Sequence, residues 1–153
     1  MRAPGKAVLA MAKEMTIMTI SGAPPDLADS TLLAIASDPV SREVVLSFRN
    51  SVHLFSARAT GVDELLAYEF LRENIVDEVT TWGRDSDASK LRDLLAKLLF
   101  ERESAAEIIE PGLVARLDEC ANAVLEGRKV LVELTPALGA WVLLFAASIE
   151  WSD

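Results

Sequence analysis

The sequence predicts an all-α fold, a single bundle of six or seven helices with marginal β content. Three observations predict it. Apolar residues recur every three or four positions along most of the chain, helix starters and stoppers punctuate it, and neither internal repeats nor low-complexity tracts interrupt it. The composition fits one globular domain, since 153 residues at 51% hydrophobic and 25% charged can bury a core without staples.

Residues 1–25 read as an N-terminal arm or short element ahead of a helical domain spanning 26–153. Val8, Met11, Met15 and Met18 have helical spacing, whereas "TIMTI" also suits a strand. The apolar run after Lys6 is interrupted at Lys13, too soon for a secretory signal. "SGAPPD" is a turn or linker, and Asp26 caps a short helix through Ala36. Asp38 is then an N-cap with Pro39 at the first helical position, and Val40, Val44, Phe48, Val52 and Phe55 line one face. Thr60 and Asp63 have capping-box spacing and start another helix, with Val62, Leu65, Leu66, Phe70, Ile75 and Val79 on its inner side.

"TWGRDSDASK" breaks the pattern, and Asp85, Ser86 or Asp87 caps the next helix. Leu91, Leu94, Leu95, Leu98 and Leu99 form a broad stripe along it, with Asp93 and Lys97 in favourable order. Pro111 ends or restarts the helix. Leu113, Val114, Leu117, Cys120, Ala121, Val124 and Leu125 make the cleanest helical face, closed by Gly127. "KVLVEL" is a short strand or an extended link. Thr135 and Pro136 cap a last helix, "ALGAWVLLFAASIEW". The uncharged run Leu134 to Ile149 reads as a central helix buried on all sides, with a C-terminal tail anchor as the alternative; a spanning helix wants about 20 apolar residues.

The net charge is −9 and unevenly placed. Residues 1–58 carry six bases and five acids; residues 59–153 carry nine bases and nineteen acids. Such a surface repels phosphate backbones, which argues against a nucleic-acid partner and for another protein with a basic face. The predicted partner-binding residues are Asp63, Glu64, Glu69, Glu73, Asp77 and Glu78, the polar side of the helix from Val62 to Val79, against the single base Arg72. Glu69–Glu73 and Glu103–Glu107 are like-charge pairs at helical spacing, for which a basic partner or neighbouring arginines would compensate.

No catalytic residue, cofactor or metal is expected. His53 is the single histidine and, four residues after Arg49, reads as half of a surface pair. Glu-x-x-His motifs, Gly-rich phosphate loops and a GxSxG elbow are all missing from the sequence. Cys120, the one cysteine, falls on an apolar face as a buried inert thiol, consistent with a reducing, cytoplasmic setting.

The order of signals resembles the regulator of G-protein signalling (RGS) homology domain. Leu32, Leu33, Asp38, Pro39, Arg42, Val45 and Phe48 match the "LL…DP…R..F..F" opening, and "VDELLAYEF" comes next with Tyr68 at the aromatic position. "LRDLLAKLLFERESAAEIIEPGLVARLDECANAV" and "TPALGAWVLLFAA" resemble later helices of that family, so the likeness spans about residues 30–149. It implies a four-helix core over 62–149 with the N-terminal helices at one end. It also implies a signalling scaffold whose partner is a Gα-type G-protein subunit or another signalling protein. The family's two loop asparagines fall at Glu64 and Ile109, and its closing helices have no counterpart before Asp153, which implies binding without GTPase acceleration. The alternative is an unrelated small acidic helical protein, immunity-protein-like or chaperone-like, that neutralises or escorts one partner.

Overall fold

In "EVVLSFR" Val44, Leu46 and Phe48 are buried while Val45 and Ser47 between them are only half-buried. That period of two makes the segment a strand. The computed structural model describes residues 20–22, 25–51 and 53–153, and strands dominate them. They are β1 (Ile20–Ser21), β2 (Thr31–Asp38), β3 (Glu43–Arg49), β4 (Leu54–Tyr68), β5 (Ile75–Trp82), β6 (Val130–Leu138) and β7 (Trp141–Ser152). The two α-helices among the described residues, α1 (Ala88–Phe100) and α2 (Pro111–Leu125), lie between β5 and β6.

The sheet closes on itself. Around the ring the order is β2-β3-β4-β7-β6-β5, and β5 returns to β2 through the pair Thr31↔Ile75. All of these neighbours are antiparallel, and β1 adds a short parallel pairing to β7. The barrel is filled by side chains, with Leu46, Val132, Val142, Leu144 and Ile149 fully buried inside it. Phe48 and Phe55, paired across β3 and β4, stack at 5.5 Å with Trp151 at 6.4 Å from Phe48. Ala57, Ala59 and Ala146 are buried at inner positions beside these larger side chains. At Gly61 the long β4 bends with φ +61°, and a Cβ there would come within 2.7 Å of Ala147. The adjoining bulge at Val62/Glu64 lets β4 follow β7 around the wall.

A second core lies outside the barrel. Leu91, Leu95 and Leu98 of α1 and Leu117, Cys120 and Val124 of α2 pack on Leu131, Leu143 and Phe145, which point outward from β6 and β7. Asp87 caps α1 by accepting from Lys90 N at 3.1 Å, and Pro111 starts α2. Gly127, at φ +74°, turns the chain out of α2 towards β6.

The all-α bundle is therefore overturned, and the residues show why. Asp38 accepts from Val40 N at 2.9 Å and Ser41 N at 3.4 Å, so "DPVS" is a hairpin turn between β2 and β3 and not a helix start. The helix expected from Asp26 to Ala36 is a turn followed by β2, and that expected from Thr60 to Val79 is the end of β4, a loop and β5. The spacing of four that suggested helices, as in Val44 and Phe48, is also two strand periods; buried Leu46 between them settles which applies. "TPALGAWVLLFAASIEW" is the end of β6, a turn at Gly139 and β7, so the four-helix core implied over 62–149 is not formed. Apolar on both faces, β7 carries the same composition as a buried helix. No helix among the described residues is long and apolar enough to cross a membrane, and Leu134–Ile149 is hairpin. The helices at 88–100 and 111–125 and a strand at "KVLVEL" do form. The expectations for residues 1–19 and for Val52 lie outside the described residues.

Leu117→Ala is expected to lower unfolding free energy by about 2–4 kcal/mol and Val124→Ala by about 1–3 kcal/mol, since both side chains leave cavities in the outer core. Leu113→Ala, at a position 37% exposed, should cost about 0.5 kcal/mol or less. Urea unfolding of the three variants measures this, and equal effects would refute the assignment of the α2 face.

Candidate functional site

The predicted acidic residues do not form one face. Asp63 and Glu64 sit at the β4 bulge, where Asp63 is bridged by Arg42 and by Lys129, the latter at 2.6 Å, and Glu64 faces Arg116 at 3.8 Å. Their charges are largely answered within the chain. Glu69, Glu73, Asp77 and Glu78 lie elsewhere, on the β4–β5 connection and the start of β5, all exposed and without an ion-pair partner among the described residues. The bulge between Val76 and Glu78 turns Asp77 and Glu78 both outward.

That connection is held rigidly. Asn74 is 3% exposed; its Oδ1 accepts from Leu71 N at 2.8 Å and Ala140 N at 3.1 Å, while its Nδ2 donates to Leu71 O at 2.8 Å. One amide thus ties the loop to itself and to the β6–β7 turn. Gly139 lets the two approach: a Cβ there would lie 2.5 Å from Asn74 Oδ1 and 2.7 Å from Glu73 O. On this scaffold Phe70 (47% exposed), Leu71 (51%) and, across the turn, Leu138 (46%) face solvent. Four carboxylates without an ion-pair partner among the described residues and three exposed apolar side chains share one end of the barrel.

Beside it runs a cleft of about 410 Å³ between α1 and the barrel wall, lined by Trp82, Lys90, Asp93, Leu94, Glu133 and Trp141 among others. Its polar groups are mostly committed to one another. Trp141 Nε1 donates to Glu133 at 3.0 Å, Asp93 accepts from Ala105 N at 2.8 Å, and Lys97 pairs with Glu103. Tyr68 stacks on Trp141 at 5.8 Å, and Lys97 Nζ lies 5.4 Å from the Tyr68 ring centre. Asp93 and Lys97 hold the C-terminal loop to α1, and Lys97 over Tyr68 links α1 to the barrel. The hydrogen bond to Glu103 raises the Lys97 pKa.

Other candidates stay apart. His53 is exposed in the β3–β4 turn, where its N–H donates to Asn50 Oδ1 at 2.8 Å. Cys120 is buried, and loss of solvation raises its pKa. Among the described residues no group of three His, Cys, Asp or Glu could hold a metal ion. Neither Asn74 nor the cleft's Trp82 and Trp141 was picked out from the sequence. The available signal for Asn74 was its residue type, which favours turns over helix interiors. No family model, curated protein or solved structure matches the chain.

Asn74→Ala should cost about 2–3 kcal/mol by leaving the Ala140 and Leu71 backbone groups unpartnered. Amide exchange of residues 69–74 should accelerate more than that of the outer core; uniform acceleration would mean Asn74 does not pin this loop. Because the folded-state pKa of Lys97 is raised, its contribution is fully present below the unfolded value near 10.4 and is lost as pH rises through the folded one. Lys97→Met should flatten the decline in urea midpoint as pH rises above about 10.4. An unchanged decline would assign it to other groups.

Proposed function

We propose that this chain is a non-catalytic protein-binding module that docks a partner with a basic, partly apolar surface on the β4–β5 end of its barrel. One observation carries the reading: Glu69, Glu73, Asp77 and Glu78, unpaired among the described residues, share that end with exposed Phe70, Leu71 and Leu138. Apolar side chains on a fixed loop supply contact area at little ordering cost, because Asn74 already holds the backbone. The carboxylates steer a cationic partner and select against acidic ones, giving an association rate that falls with salt.

The test is a titration with a synthetic leucine-lysine peptide and its leucine-glutamate counterpart. The lysine peptide should bind with strong salt dependence and the glutamate peptide should not. Glu69→Lys with Glu73→Lys, and separately Phe70→Ala, should each weaken binding about tenfold or more with the urea midpoint nearly unchanged. Retained affinity in the doubly reversed variant would remove this surface from the interaction.

A further inference from the structure

The barrel closes by a short seam. β2 pairs with β3 from Thr31↔Arg49 to Asp38↔Glu43, interrupted by a bulge at Leu33, but meets β5 at Thr31↔Ile75 alone. The hydrogen bond from Leu32 N to Asn74 O is the last on that side. Beyond it, residues 33–38 of β2 have no strand neighbour on this edge among the described residues. We infer that this free edge, Leu33 to Asp38, receives an extended segment of the partner as an added β-strand, its apolar side chains lying along β2 and a basic residue reaching Asp38 at the end of the edge.

The edge has the chemistry of an acceptor. Strand edges are ordinarily guarded by lysine, proline, an inward charge or a bulge, and of these β2 has the bulge at Leu33, which leaves 34–38 in regular register with β3. "LAIAS" carries none of the others before Asp38 and Pro39, and Leu33 is 39% exposed with Ala34, Ala36 and Ser37 also exposed. The part of β5 beyond Val76 that is likewise open on this side carries Asp77 and Glu78. The core is incompletely covered here too: Ile35, Val62 and Leu65 pack on it while only partly buried. A strand laid on β2 would bury more of Ile35 and satisfy the outward N–H and C=O groups of 33–38.

Charge selects the occupant. The hollow at the end of the edge, about 250 Å³, is lined by Ser37, Val62 and Leu65 with Asp38, Glu43, Asp63 and Glu64. Arg42 and Lys129 answer Asp63, Arg116 faces Glu64 and Arg58 faces Glu43, which leaves Asp38 as the carboxylate here without an ion-pair partner among the described residues. At the other end the edge begins beside Asn74, whose neighbour Glu73 is unpaired among the described residues. A second copy of this chain would bring the same carboxylates and a net charge of −9 against its own, whereas a basic segment complements both ends. The inference rests on the reading of the chain as a binder of basic partners, and adds the conformation in which such a partner is held.

The test uses the full chain and a short synthetic peptide alternating valine with lysine, beside the same peptide with alternate amides N-methylated to block pairing along one edge. Two readouts are taken: binding by fluorescence anisotropy, and amide exchange of the protein by mass spectrometry. Binding should slow exchange at residues 33–38, N-methylation should weaken it about tenfold or more, and Leu33→Lys should do likewise at an unchanged urea midpoint. Equal binding of both peptides, or slowed exchange confined to 69–78, would overturn strand addition while leaving the acidic loop as the docking surface. Failure of both peptides to bind at low salt would overturn both readings. A concentration-dependent dimer that slows exchange at 33–38 without peptide would overturn the assigned occupant in favour of a second copy.

Discussion

Two strands belong to two cores at once, and the rest of the molecule is arranged around that fact. Val130, Val132 and Leu134 of β6, with Val142, Leu144 and Ala146 of β7, point into the barrel, while Leu131, Leu143 and Phe145 between them point out under the helices. Each fully buried side chain of this size contributes about 1.5–3 kcal/mol by leaving water, so neither layer is incidental to the other. The barrel needs β6 and β7 to complete its wall, and the helices need their outer faces to bury their own apolar stripes. Placing α1 and α2 there also creates the cleft, because the C-terminal part of α1 stands beside Trp141 and Glu133.

The covering is one-sided. Helices shield β6 and β7, whereas β2 and the β4–β5 connection face solvent. The barrel interior is filled by buried side chains, so the proposed docking surface lies on its rim and edges. There Asn74 does what the apolar core cannot, turning a loop with exposed Phe70 and Leu71 into a fixed platform through three hydrogen bonds. The excess acid of the second half of the chain is partly absorbed at the bulge, where Arg42 and Lys129 meet Asp63, and left unanswered at Glu69, Glu73, Asp77 and Glu78. A solvent-exposed ion pair contributes little to stability, so the contrast bears on what the surface attracts more than on how firmly it folds.

The two helices were legible because their signals are local and redundant. Asp87 and Pro111 mark the starts, Gly127 marks an end, and stripes such as Leu91, Leu95 and Leu98 have no competing period-two reading. The strands were not, for two separate reasons. In β3 the pair Val44 and Phe48 satisfies both periods, and Asp38 and Pro39 suit a hairpin turn as well as a helix start. In β7 nearly every residue is apolar because both faces are covered, which erases the alternation that identifies a strand. The β-branched content of "EVVLSF", "DEVTTW" and "KVLVEL" was the signal available, and in the first two helical spacing outweighed it.

The candidate surface divides in the same way. By itself the sequence determined that acid is concentrated in the second half of the chain, that the residues from Asp63 to Glu78 are its densest stretch, and that two amphipathic helices occupy residues 88–125. Only the tertiary structure decided that Asp63 and Glu64 are answered by distant bases, that Asn74 fastens the loop to a turn 66 residues away, and that one edge of β2 has, beyond Leu32, no strand neighbour among the described residues. Charge content and helix signals are properties of neighbouring residues. Ion-pair partners, strand neighbours and faces covered on both sides depend on which distant segments meet, and the chain decides that when its apolar surface is buried as a whole.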